Sequence, residues 1–337
     1  MMKTMLRAAA AAAILLLPAA AAAQQPVKLR FASTIPADSV STGAVFMPFI
    51  EAVKKESQGA VEIELFSNGA LGRNMTAQAQ MITDGVADIA FVVVPQQRGR
   101  FRETEVLELP ALFGNVTDAS TVASRMMIKN TFQGFEEFHV IGLFGTGPTS
   151  IHSRGAIASL DDIKGKKIRA GGALESQTIT ALGGVPVALT VPEVIEAVSR
   201  GNVDGVTSLA SILFDFGFAS VTNTHYFARL GNLPMAILMS KQKFDSLPKA
   251  GQDAIRKYSG EYIEKLFVAA NARADEAVLK RLQDDPKRKV VIPSDAEVAR
   301  TKQMVLPVID AWKKQNPRNE QLYQAVEQEL AGLRASR

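Results

Sequence analysis

The sequence predicts an α/β protein of two lobes, and three observations carry that prediction. β-like and helical segments alternate from Val27 onward, the pattern of strands covered by helices. The two halves of the chain repeat one design: Met81 to Asp88 leads into an apolar strand, and so does Ala197 to Asp204. In each, an amphipathic helix ends at a glycine (Gly85, Gly201) suited to the left-handed position, and an Asp three residues later opens the strand. Helix, glycine turn and strand is how any α/β protein turns a corner, so the repeat counts only beside the third observation. From Lys249 to Gln283 the chain carries no Pro, and Ile255, Tyr258, Tyr262, Leu266, Ala270, Ala274, Val278 and Leu282 recur at three- and four-residue steps.

Taken in order, Val27–Ala32 reads as a strand, and Gly43–Lys55 as a helix with Val45, Phe49, Ala52 and Val53 on one face. Val61–Phe66 alternates as a strand, Thr76–Thr83 is helical, and Ala87–Val94 is an apolar strand of a sheet buried on both faces. After Val140–Phe144 and the break at Gly145, Gly147 and Pro148, a second lobe is expected from Ser150. Its elements are strand Thr149–Ser153, a charged connector Leu160–Lys164, strand Lys167–Ala170, helix Leu174–Leu182, strand Val185–Ala188, helix Val191–Ser199 and strand Gly205–Leu209. Pro234–Ser240 is a strand where the chain recrosses. One helix over Lys249–Gln283 would be about 52 Å long and would bridge both lobes; the alternative is a pair of helices broken at Gly251 or Gly260. The lobes are accordingly expected as 24–149 plus about 234–265, and 150–233 plus about 266–337.

Residues 1–23 read as a targeting segment. Lys3 and Arg7 precede the apolar run Ala8 to Leu17, Pro18 breaks it, and Ala21-Ala22-Ala23 is a small-residue cleavage pattern, so export to the periplasm with cleavage near Ala23 is expected. The run is short and rich in alanine for a spanning helix. Removing the two cations takes the formal net charge from +4 to +2, which leaves no electrostatic case for nucleic acid or an anionic membrane. The absence of Cys excludes a disulfide scaffold, a Cys-ligated metal centre and a lipid anchor on cysteine.

The sequence holds no G-x-S-x-G, H-E-x-x-H, Walker or dinucleotide glycine motif, so neither a catalytic set nor a cofactor is expected. Ser246-Leu247-Pro248-Lys249 matches S-x-x-K only formally and reads as a turn. His139, His152 and His225 lack ligand spacing and read as ordinary strand or loop histidines, with no metal site.

Two arginines stand out. Arg169 closes a strand and is followed by Gly171-Gly172 and a helix start; a strand end, a glycine turn and a helix N-terminus form an anion site that a guanidinium completes for a carboxylate. Arg154 ends a strand expected to lie beside it, so both could enter one crevice; the alternative is surface pairing with Asp161, Asp162 or Glu175.

A set of strings in fixed order then points to a family. They are Leu29-Arg30-Phe31-Ala32, Asn68-Gly69-Ala70-Leu71-Gly72, Asp84-Gly85-Val86-Ala87-Asp88, Leu107-Glu108-Leu109-Pro110-Ala111-Leu112-Phe113, Asp162-Ile163-Lys164-Gly165-Lys166-Lys167-Ile168-Arg169, Pro192-Glu193-Val194 and Gly201-Asn202-Val203-Asp204-Gly205. With them the chain resembles the solute-binding proteins of tripartite ATP-independent periplasmic (TRAP) transporters over essentially its whole mature length. The resemblance implies a two-lobed periplasmic solute-binding protein fold with a hinge and a long bridging helix. It implies a monomer working with a small and a large membrane permease subunit. Arg169 matches the arginine that pairs with the ligand carboxylate, Arg154 a second basic position, and Ser208, with Thr207 beside it, a position that often offers an amide.

The departures bear on the ligand. Val92-Val93-Val94-Pro95 stands where binders of sugar acids carry polar groups, Gly171-Gly172 follows Arg169 in place of an amide side chain, and Val191 stands where an aromatic is common. The expected ligand is therefore a small organic acid with an apolar or aromatic tail, held by Arg169 in one lobe and by Thr34, Ser39 and Val93 in the other. An exported hydrolase or lyase, and a binding protein of an ATP-driven importer, are the competing classes; turnover of a bound acid, or an ATPase encoded next to this chain, would favour them.

Overall fold

The structure, a computed structural model, describes residues 25–97 and 99–336; the expected signal segment lies outside them. Two sheets form the frame. The first runs in the order β2 (Val61–Phe66), β1 (Val27–Ala32), β3 (Ile89–Val93), β10 (Pro234–Ser240), β4 (Phe138–Gly145). Its helices are α1 (Met47–Glu56), α2 (Gln78–Thr83) and α3 (Val116–Ile128). β3 is parallel to β1, and β10 returns antiparallel between β3 and β4. Ala90 and Val92 of β3 enter one core with Val122 and Leu238, while Ile89 and Phe91 enter another with Phe46 and Phe49. A strand buried on both faces reads as an unbroken apolar run, which is why 87–94 shows no alternation.

The second sheet runs β11 (Lys289–Val291), β9 (Thr224–Tyr226), β5 (Ser150–Ser153), β8 (Gly205–Ser208), β6 (Lys167–Ala170), β7 (Val185–Ala188), with α4 (Ala173–Ala181) and α5 (Val191–Ser199) as crossovers. Two chain segments cross between the sheets side by side. Thr149 N–H donates to the Gly231 carbonyl at 2.7 Å and Thr146 N–H to that of Leu233 at 3.1 Å. Gly231 has φ +156, and a Cβ there would stand 2.6 Å from the Glu108 carbonyl, so the crossing excludes a side chain.

The repeated corner is a structural repeat with one chemical job. Gly85 and Gly201 both adopt positive φ. Asp88 then accepts the Arg30 N–H at 2.8 Å and Asp204 the Lys167 N–H at 2.7 Å, each carboxylate tying its strand to the next.

After the short α6 (Lys241–Asp245), the expected 249–283 helix is two helices, α7 (Lys249–Tyr258) and α8 (Glu261–Asp284). Gly260 takes φ +62 and ψ −120, outside helical space, and its N–H donates to the Ile141 carbonyl of edge strand β4. The 24 residues of α8 still span about 36 Å. Its Ile263, Phe267 and Ala270 join the first sheet's core, and Leu282 the second's, so α8 is the bridge.

The division expected for the C-terminal part is not the one the packing follows. In α9 (Asp295–Lys313), Val305 lies in the second sheet's core but Val308, Ile309 and Trp312 lie in the first's. Leu322, Val326 and Leu330 of α10 (Pro317–Ala335) complete that first core, so α10 returns to the first lobe. Amphipathic spacing tells which face of a helix is buried, not which lobe buries it.

Candidate functional site

Arg169 is the third residue of β6 and is 8% exposed. Its Nε donates to the Leu189 carbonyl at 3.0 Å, and among the described residues its guanidinium has no ion-pair partner within 4.0 Å. Burial pulls its pKa below the ordinary arginine value, and the nearby Glu175 opposes that shift. The glycine turn is arranged differently from the expectation of free N–H groups: Gly171 N–H already donates to the Glu175 carboxylate at 2.5 Å. An added Cβ on Gly171 would lie 3.2 Å from Arg169 Nη1, so the bare turn leaves the guanidinium its room. Gly172, the N-cap of α4, stays partly accessible.

Strand pairing sorts the other expected residues. Arg169 pairs with Val206 of β8, and paired residues present their side chains on one face. Ser208, two residues beyond Val206, shares that face and is buried. Thr207 points to the other face, where its hydroxyl donates to the Arg169 carbonyl at 2.9 Å, bracing the strand rather than facing a ligand. Val191 opens α5 at the edge beyond Leu189 and is half-buried.

Arg154 is not brought to Arg169. β8, not β5, is the neighbour of β6, and β5 runs antiparallel to β8, so the chain leaves β5 at the opposite edge of the sheet. There Arg154 is exposed, with Nη1 3.3 Å from the Ser199 carbonyl at the C-terminus of α5.

In the first lobe Val93 ends β3 and is buried, and Thr34 follows β1 half-buried. Ser39 is buried and turned inward: its Oγ accepts the Thr42 N–H at 3.2 Å and donates to the Thr42 hydroxyl at the same distance, so it is spent on its own turn. The two lobes approach closely. Asp38 of the first helps to raise the carboxyl of Asp215 in the second, burial being the larger cause. A cavity of about 240 Å³ lies between Val94, Pro95 and Glu108 on one side and Gly172, Leu174 and Gln177 on the other. The Glu108 carboxyl in it is driven well above the ordinary range, first by desolvation and then by Glu105 and Glu175.

Sequence reading missed three features. Glu108 was legible only as part of a string. Asn232, at the lobe crossing, is 2% exposed and donates Nδ2 to the Thr146 carbonyl at 2.7 Å. His152 and His225 are fully buried with Nδ1 atoms 3.0 Å apart, and burial, the leading cause, drives their pKa values to about 3 and about 4. No spacing announces that pair, because β5 and β9 are brought together by pairing across the sheet. Ser246 is a turn residue as expected, its hydroxyl donating to the Lys243 carbonyl.

Two α/β lobes joined by paired crossings, with a buried arginine that has no ion-pair partner among the described residues, give the architecture of a two-lobed binding protein. Comparison with known proteins gives its family. The model of bacterial extracellular solute-binding protein family 7 matches residues 31–315, and the chain belongs to that family, the solute-binding receptors of TRAP transporters. It is similar to the C4-dicarboxylate-binding periplasmic protein DctP of Rhodobacter capsulatus, 25% identical over 75% of this chain and 78% of the relative. Among solved structures it is similar to a marine metagenome TRAP solute-binding protein specific for aromatic acid ligands, in complex with metahydroxyphenylacetate. The TM-score is 0.84 at 25% identity, over 91% of this chain and 99% of that one. A TRAP solute-binding protein from Sulfitobacter sp. NAS-14.1 with bound β-D-galacturonate has the same fold, with a TM-score of 0.78 at 19% identity over 88% and 99% of the two chains. No helix among the described residues is long and apolar enough to cross a membrane.

Proposed function

We propose that this protein is a periplasmic receptor that captures a small organic acid with an apolar or aromatic tail and delivers it unaltered to a TRAP permease of one small and one large membrane subunit. The observation that carries this reading is Arg169, a buried guanidinium without a counter-ion among the described residues, whose following turn at Gly172 meets the apolar Val94–Pro95 segment of the other lobe across a shared cavity. A cation held out of water costs free energy until an anion meets it, and a carboxylate matches its fork in bidentate fashion. Binding then favours the arrangement in which both lobes contact the ligand, Arg169, Gly172, Val191 and Ser208 from one side and Val93, Thr34 and the Ser39 turn from the other. Desolvation in the shut cleft strengthens the ion pair. The similarity to a receptor whose structure holds an aromatic acid supports the apolar tail.

A thermal-shift screen of organic acids tests the reading, since a ligand that binds only the folded state raises its melting temperature. Arg169→Ala should cost about 2–5 kcal/mol of ligand affinity by calorimetry, as for a buried charge losing its partner. An unchanged dissociation constant removes Arg169 from the site, and a clear preference for uronates over aromatic acids overturns the ligand class.

A further inference from the structure

Three carboxyls gather where α4 meets the first lobe, and the protein provides for two of them. Glu105 accepts the Trp312 Nε1–H at 3.0 Å and Glu175 the Gly171 N–H at 2.5 Å. The carboxyl of Glu108, the last residue of the helical turn Arg102–Glu108, has neither a hydrogen bond nor an ion pair among the described residues. Glu108 is half-buried and lines the cavity of about 240 Å³ between the lobes, while its backbone carbonyl faces Gly231 of the crossing. Burial drives the carboxyl well above the ordinary range, and the negative Glu105 and Glu175 add to the shift. Arg102, the cation of the same turn, is exposed and lies against Gly99. At neutral pH the group is therefore a carboxylic acid, with an O–H donor that no protein acceptor meets, and leaving it so costs free energy. Glu175 acts on Arg169 as well, opposing the fall of its pKa, so the arginine and the acid both stand near the glycine turn that ends β6. The cavity is smaller than the roughly 300 Å³ at which whole-ligand pockets begin, and Val94, Pro95, Phe101 and Leu174 give it an apolar wall. That is room for the tail of a ligand whose carboxylate lies outside it.

We propose that Glu108 is a specificity-determining contact of the acid site, its carboxyl O–H donating to an uncharged oxygen, hydroxyl or keto, on the tail of a ligand whose carboxylate is held at Arg169. The inference rests on the reading of the cleft as an organic-acid site. Arg169 then selects for charge and Glu108 for the position of a neutral acceptor, and an acid with a wholly apolar tail leaves the donor unmet. A second carboxylate on the tail is disfavoured, because Glu105 and Glu175 already make this corner negative.

Calorimetry at pH 7 with two acid pairs, 3-acetylbenzoate against 3-isopropylbenzoate and 3-hydroxyphenylacetate against phenylacetate, tests this. The unaltered protein should bind the oxygen-bearing member of at least one pair about tenfold more tightly, the worth of one hydrogen bond to a neutral donor. Glu108→Gln, whose amide still donates and carries no charge, should keep that preference. Glu108→Leu, which removes the donor, should bring the ratio near one while the apolar member binds no more weakly than before. Arg169→Ala should weaken both members. Infrared difference spectra of the unaltered protein, bound minus free, should show the carbonyl stretch of a protonated carboxyl moving when the oxygen-bearing acid is added, a band missing from Glu108→Gln. No preference within either pair, a preference that survives Glu108→Leu, or no such band overturns the role of Glu108 and leaves the acid site standing. So does tighter binding of 3-(aminomethyl)benzoate than of either oxygen-bearing acid, which would make Glu108 the anion that meets a cation. Binding of neither pair by the unaltered protein overturns both.

Discussion

At the residue scale the site depends on charges placed where water does not reach. Arg169 is poised by burial and by the single bond to Leu189, which orients the guanidinium without neutralising it. Asp275 of α8 is the acid counterpart. Desolvation pushes its carboxyl up to about 6, with bonds from the Ser211 backbone and hydroxyl opposing, and its Oδ2 stands 2.8 Å from where a Cβ on Gly147 of the crossing would lie. An acid whose folded-state pKa exceeds its unfolded value of 3.8 costs the fold nothing below pH 3.8, a growing amount up to about 6, and its full cost above. That cost is on the order of 2 kcal/mol after discount for residual solvent access. Asp275→Asn keeps an acceptor for Ser211 and removes the charge. Urea unfolding should find it more stable than the parent at pH 7.5 and equal to it at pH 3.5; a variant less stable at pH 7.5 contradicts the assignment.

At the element scale the two lobes share one corner, and the sequence shows it because the corner is local: a glycine at positive φ and an aspartate three residues on. The α7–α8 break is also local in part. Gly260 was visible as a weak point, but whether it breaks the helix depends on β4, whose Ile141 carbonyl takes the freed N–H. A side chain at φ +62, ψ −120 is strained although nothing blocks its Cβ closer than Ile128 at 3.9 Å. Gly260→Ala should therefore cost about 1–3 kcal/mol in urea unfolding. A variant as stable as the parent would mean that 249–284 can run as one helix.

At the scale of the whole molecule, α10 is the last piece of the first lobe, although it is the farthest from it in sequence. Leu322, Val326 and Leu330 are at most 5% exposed, and Trp312 Nε1 donates to Glu105 at 3.0 Å beside them. Burying three such side chains is worth roughly 5–9 kcal/mol, comparable to the whole margin of a folded domain. A chain ending at Gln315 should be insoluble, or lose its cooperative melting transition on circular dichroism. Retention of a sharp transition in that truncated chain would show that α10 only lies on the first core without completing it.

The alternation of strands and helices, the corner repeated in both halves and the glycine turn after Arg169 are properties of neighbouring residues, and the sequence by itself determined them. Which strand lies beside which was decided only by the tertiary structure, because sheet order joins segments far apart in the chain. Arg154 looked like a companion of Arg169 until β8 came between their strands and antiparallel pairing carried it to the far edge. His152 looked ordinary until the same pairing set it against His225, and burial keeps both rings neutral.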